Sequence, residues 1–104
     1  MTQSEQLAAA HVLLDAVSAF DHGQGETPQN EAAVKLALDR LSEIGSIRVI
    51  EQDDGTIVLD PSPLVSGAIV TITLLARTLA EKYNADYDAV TATIREQLTE
   101  ILQG

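Results

Sequence analysis

Residues 63–80, PLVSGAIVTITLLARTLA, carry a single charge, Arg77, in a chain whose formal net charge is -10. A helix that is apolar nearly all round has to be enclosed on several sides, by its own domain or by a second copy of the chain. The segment AIVTITLL alternates and is rich in β-branched residues, so a strand is the rival reading. Length decides for a helix: Leu64, Ala68, Ile72, Leu75, Leu79 and Tyr83 continue one helical stripe, whereas strands run about 4–8 residues. Length also sets a membrane span aside. The longest uncharged run, residues 61–76, falls short of the roughly 20 apolar residues a span requires and contains Pro63, Ser66, Thr71 and Thr73.

The flanking segments supply what could enclose such a helix. A first helix is expected from Ser4 to Phe20, with Ser4 as N-cap, Leu7, Ala10, Leu13, Leu14, Val17 and Phe20 on one face, and His11, Asp15 and Ser18 opposite. The loop DHGQGE, residues 21–26, breaks that pattern with two glycines. Thr27-Pro28 opens a second helix, since threonine caps free amides and proline is tolerated at the first helical position. Val34, Ala37, Leu38, Leu41 and Ile44 form its apolar stripe, Glu31 and Lys35 pair one turn apart, and Gly45 ends it in a left-handed cap.

SIRVIEQ-DDG-TIVLD then reads as a β-hairpin. Asp53 and Asp54 suit a type I turn, and Gly55 suits the left-handed bulge residue that follows it. With Gln52 opposite Thr56, Ile47, Val49, Ile57 and Leu59 share one face, expected to pack on the helices, and Arg48 lies opposite Asp60 on the other. A two-residue Asp54-Gly55 turn is the competing register. Ser62 as N-cap and Pro63 at the first helical position launch the apolar helix, and Asp86 and Asp88 open a last helix with Val90, Ile94, Leu98, Ile101 and Leu102 as its stripe. The fold expected is α+β, mainly α, a single domain over residues 1–104 in the order α-α-β-β-α-α, with the hairpin at about 46–60 and a central apolar helix at about 62–84. Helices one, two and four and one hairpin face are expected around that helix.

Composition narrows the function. The chain has no cysteine, which excludes disulfides, thiolate metal sites and cysteine nucleophiles. Sixteen acidic residues against six basic ones oppose direct nucleic-acid binding, whose affinity comes from Lys and Arg on phosphates. Three aromatics, Phe20, Tyr83 and Tyr87, are little material for a stacking pocket. The N-terminus lacks the basic region of a secretory signal, so a cytoplasmic location is expected.

His11 and Asp15 lie one turn apart, and His22 would join them on a longer first helix; two imidazoles and a carboxylate could hold a divalent metal, but the spacing matches no metal motif. Asp53 with Asp54 and Asp86 with Asp88 have structural uses as turn formers and helix starters. GxSxG, Walker and GxGxxG motifs are absent, and GQG at 23–25 does not stand between a strand and a helix. No catalytic residue, metal or cofactor is therefore expected.

The segment LDRLSEIGSIRVIEQDDGTIVLD resembles the recognition helix and wing of winged-helix proteins, over less than a quarter of the chain. It departs from that pattern in having only one preceding helix, and the outer side of its helix offers Glu31, Lys35, Asp39 and Glu43, which would repel phosphates. The resemblance implies a winged-helix scaffold reused for protein contacts. The function expected is a non-enzymatic protein-interaction module, a homodimer that also binds another protein, serving as a small adaptor, regulator or accessory subunit. Alternatives are a winged-helix DNA-binding regulator and an acidic nucleic-acid mimic that blocks a basic partner. The expected interface is the first part of the apolar helix, at Leu64, Val65, Ile69 and Val70, where no polar stripe interrupts the surface.

Overall fold

A computed structural model describes residues 2–21 and 27–103. The fold is α+β and mainly α: α1 (Gln3–Ala19), α2 (Pro28–Glu43), an antiparallel hairpin of β1 (Arg48–Glu51) and β2 (Ile57–Asp60), α3 (Ser62–Lys82) and α4 (Tyr87–Gln103). The chain divides into two compact units, Met1–Val70 and Thr71–Gly104, called units 1 and 2 below.

In unit 1, helix ends are set by local hydrogen bonds. α1 begins two residues earlier than Ser4 suggests, because Thr2 and Glu5 form a capping box. The Thr2 hydroxyl accepts from the Glu5 amide at 3.2 Å, and the Glu5 carboxylate accepts from the Thr2 amide at 2.9 Å. Thr27 caps α2 by accepting from the Asn30 amide at 3.1 Å, with Pro28 in the first turn as expected. Gly45, at φ +75°, closes α2, and the Ser46 amide reaches back to the Leu41 carbonyl at 3.0 Å. Asp60 takes the place expected of Ser62 at the start of α3: its carboxylate accepts from the Ser62 amide and hydroxyl.

The hairpin adopts the three-residue-loop register. The Gln52 amide donates to the Thr56 carbonyl at 2.8 Å, Gly55 sits at φ +84°, and Arg48 pairs with Asp60. Its orientation differs from expectation. Arg48 donates to Glu5 of α1 at 2.6 Å, which ties its side of the hairpin to α1 at that point, although Ile50 and Val58 on the same side are 46 and 41% exposed; the opposite face is more open still. Val49, Ile57 and Leu59 on that outward face are 66, 65 and 63% exposed, not packed on the helices.

The unit 1 core mixes small and large apolar residues. Ala9, Val12 and Leu41 form its buried cluster, with Leu13, Ala37 and Leu64 packed against it. α1 and α3 approach so closely that a Cβ on Gly67 would stand 2.9 Å from the Gln6 carbonyl oxygen and 3.0 Å from the Ala9 Cβ. Buried Asn30 joins the two ends of the α1–α2 connection: its carbonyl accepts from the Asp21 amide at 2.8 Å and its amide donates to the Asp21 carbonyl at 3.2 Å. Ser46 is also buried; its carbonyl accepts from the Leu64 amide, while its hydroxyl has no hydrogen-bond partner among the described residues.

In unit 2, α3 ends at Asn84, which takes φ 51° and lets the Ala85 amide bond to the Ala80 carbonyl at 2.9 Å. The four-residue link 83–86 joins α3 to α4, making the helical hairpin of unit 2. Its core is Ala76, Ala80 and Val90, with Ile94 packed against it.

Two predictions follow from unit 1. Gly67→Ala gains up to about 1 kcal/mol of helix propensity but forces a methyl against backbone, at about 1–3 kcal/mol. The urea midpoint therefore falls; an unchanged or higher midpoint would contradict the close approach. The Glu5 carboxyl is held below its ordinary value by the Thr2 amide and then by Arg48. A depressed pKa stabilises the fold above the unfolded value, and that contribution is lost as pH falls through the folded one. Glu5→Gln thus lowers the thermal midpoint at neutral pH, and the gap from wild type closes in acid; a gap that does not change with pH would exclude the ionised carboxylate as its cause.

Candidate interaction surface

Because alanines and a glycine supply several of the helix contacts, as Gly67 does against Ala9, many of the large apolar side chains are left outside. The buried line of α1 runs through Ala9 and Val12, which leaves Leu7, Leu14 and Val17 of the expected stripe exposed. α2 turns Asn30, Ala33 and Leu41 inward and Val34, Leu38 and Ile44 outward, an orientation consistent with the two Asn30 bonds to Asp21. On α3 the inward residues are Pro63, Gly67, Ala76 and Ala80, and of the expected stripe Ile72, Leu75, Leu79 and Tyr83 are exposed. α4 buries Val90, with Ile94 partly covered, but Leu98, Ile101 and Leu102 are open.

The four residues expected at an interface are not equivalent. Leu64 packs on the Ala9–Val12–Leu41 cluster and is half-buried. Val65, Ile69 and Val70 are 49, 59 and 55% exposed. The sequence reading overlooked the outward hairpin face and the exposed leucines of α2. A usable signal was the set of small residues, Ala8-Ala9-Ala10 in α1 and Ser66-Gly67-Ala68 in α3, which lets helices approach without burying their larger neighbours.

Two open grooves are lined by this apolar material. One, of about 330 Å³ in unit 1, lies between α1 and α2 and is lined by Leu13, Ala16, Val17, Phe20, Ala33 and Val34. The other, of about 290 Å³ in unit 2, includes Leu79, Tyr83, Val90 and Ile94. α3 as a whole is long and apolar enough to cross a membrane by length and composition, and 22% of its most apolar window is buried within the fold.

The polar groups have local structural roles. Asp15 lies 3.6 Å from Arg40 of α2, and His11 is exposed. His22 and the GQG at 23–25 lie outside the described residues, among which no group of three His, Cys, Asp or Glu converges on a metal position. The Asp54 carboxylate accepts from the Thr56 hydroxyl at 2.6 Å and amide at 3.0 Å, and these bonds lower its pKa. Asp60 is lowered in the same way by Ser62. Each shift favours the charged carboxylate, the opposite of what a general acid needs at neutral pH.

The segment that resembles a winged helix does form a helix followed by a hairpin, α2 then β1–β2. Glu31, Lys35, Asp39 and Glu43 are exposed on α2, while Arg40 and Arg48 are engaged by Asp15 and Glu5. Comparison with known protein families, characterised proteins and solved structures finds no match.

If the outward hairpin face is surface and not core, Leu59→Ser shifts the unfolding free energy of the isolated chain by less than about 0.5 kcal/mol. A loss of about 2 kcal/mol or more, the range for truncating a buried leucine, would place that face inside. Urea unfolding at the lowest workable concentration distinguishes the two.

Proposed function

We propose that this chain is a non-enzymatic protein-interaction module that works as a homodimer and presents a second apolar surface to another protein. The observation that carries the reading is the large apolar side chains left open on each unit: Leu7, Leu38, Leu59 and Ile69 of unit 1 and Leu75, Leu98, Ile101 and Leu102 of unit 2 are all 49% exposed or more. Exposed apolar surface of this extent marks a protein interaction site.

Charge supports a protein partner over DNA. Unit 1 carries eleven acidic and three basic residues, and two of those three cations are held by acids of α1. Phosphate neutralisation would need the reverse balance. A partner for Val65, Ile69 and Val70 would offer an apolar surface of its own, since residues 61–76 carry no charge. Membrane insertion of α3 would have to strip the acidic α1 from Gly67, which makes a soluble assembly the better account.

Light scattering at low micromolar concentration is expected to give twice the 11.1 kDa chain mass, and the thermal midpoint should rise with protein concentration, as for any fold stabilised by association. A monomer mass with a concentration-independent midpoint would refute the dimer.

A further inference from the structure

We infer that two copies of this chain join through the β2 edge of the hairpin, antiparallel about Val58, so that the two hairpins become one four-stranded sheet. This rests on the homodimer reading and names the surface that serves it. The bonding pattern of the strand calls for another strand, and its side chains select a second copy.

The Gln52 amide donates to the Thr56 carbonyl, and in an antiparallel ladder such bonded pairs recur at every second residue. Ile50 with Val58 and Arg48 with Asp60 therefore bond across the hairpin, while the backbone groups of Ile57 and Leu59 are directed away from β1, along the free edge. No described residue of unit 1 hydrogen-bonds to Ile57 or Leu59 there, and the side chains of residues 57–59 are exposed. Backbone donors and acceptors in a row along an edge are satisfied by an extended strand.

Side chains set the register. Since the outward-bonding residues are two apart, an antiparallel copy can pair Ile57 with the partner's Leu59 and Leu59 with the partner's Ile57, each pair exchanging both N–H···O bonds. Val58 then faces the partner's Val58, and Thr56 faces the partner's Asp60. Apolar and β-branched side chains oppose one another, and no like charges do. Neither neighbouring register does as well: one sets Asp60 against the partner's Asp54, the other sets Asp60 against the partner's Val58. On the β1 edge the equivalent pairing sets Val49 against the partner's Glu51. TIVLD, residues 56–60, is thus complementary to itself, and a two-fold contact of this kind uses up both β2 edges and stops at two copies. The β1 edges that remain carry Arg48 and Glu51, charges that discourage further strand addition. Each copy carries net -8 in residues 1–70, so added salt should tighten the pair by screening.

The test uses the full-length chain, which has no cysteine of its own. In the inferred register the two Val58 Cα atoms stand about 4.5 Å apart, within disulfide range, whereas the two Leu59 Cα atoms are separated by more than about 7 Å and outside it. Mild oxidation should therefore link Val58→Cys into a covalent dimer and leave Leu59→Cys unlinked, while an equal mixture of Ile57→Cys and Leu59→Cys should give a mixed dimer. Leu59→Pro, which removes an amide hydrogen aimed along the free edge and no bond of the hairpin, should halve the particle mass. A wild-type dimer in which Val58→Cys does not link, or which loosens with salt, overturns the inference and leaves the homodimer reading standing; a wild-type monomer overturns both. Should the proline variant unfold, amide hydrogen exchange of the wild type decides. Protection of Ile57 and Leu59 that grows with protein concentration is expected. Fast exchange at every concentration, or protection independent of concentration because the chain itself covers the edge, would overturn the inference.

Discussion

The approach of α1 to α3 at Gly67 is the contact on which the rest of unit 1 depends. With no Cβ at that position, the α3 backbone lies against Gln6 and Ala9, and Leu64 can reach the cluster of Ala9, Val12 and Leu41. Helices that meet through glycine and alanine gain contact between backbones but remove little apolar area from water per residue. The fold obtained this way is well specified in direction and weakly supplied with buried surface. Its larger side chains are left exposed, and for that reason the exposed leucines and isoleucines constitute the candidate site.

Electrostatics acts on this frame in two ways. Locally, carboxylates are used as hydrogen-bond acceptors: Glu5 in a capping box and an ion pair, Asp54 in the turn, and Asp60 at the start of α3. Over the whole chain, the negative charge is concentrated in residues 1–70. The arginine that could have completed a basic wing, Arg48, instead fixes the wing's orientation by bonding to Glu5. That ion pair ties the hairpin to α1, while apolar residues on both of its faces, Ile50 and Val58 on one and Val49, Ile57 and Leu59 on the other, stay exposed.

Features set by neighbours in sequence were legible; features set by distant contacts were not. Thr27-Pro28, Gly45 and Asp53-Asp54-Gly55 act within a few residues, and the cap, the helix end and the hairpin register follow from them. The true start of α1 was also local, since Thr2-x-x-Glu5 has capping-box spacing, yet Ser4 drew attention away from it. Which helix face is buried could not be read from hydrophobicity alone. Leu7 and Leu14 exceed Ala9 on any such scale, but Ala9 is the residue that α3 can approach. Asn30, buried by hydrogen bonds to Asp21, reverses the usual polar assignment for the same reason: its partner is nine residues away.

The hairpin has a further consequence for any sheet edge that approaches it. A two-stranded sheet has two open edges, and one whose outward face carries Val49, Ile57 and Leu59 is a ready template for strand addition. Glu51 and Asp60 stand at strand ends and Asp53 and Asp54 at the turn, so a like hairpin approaching edge to edge in parallel register would align carboxylates with carboxylates. The acidic residues that shape the turn therefore also oppose the parallel stacking of like hairpin edges.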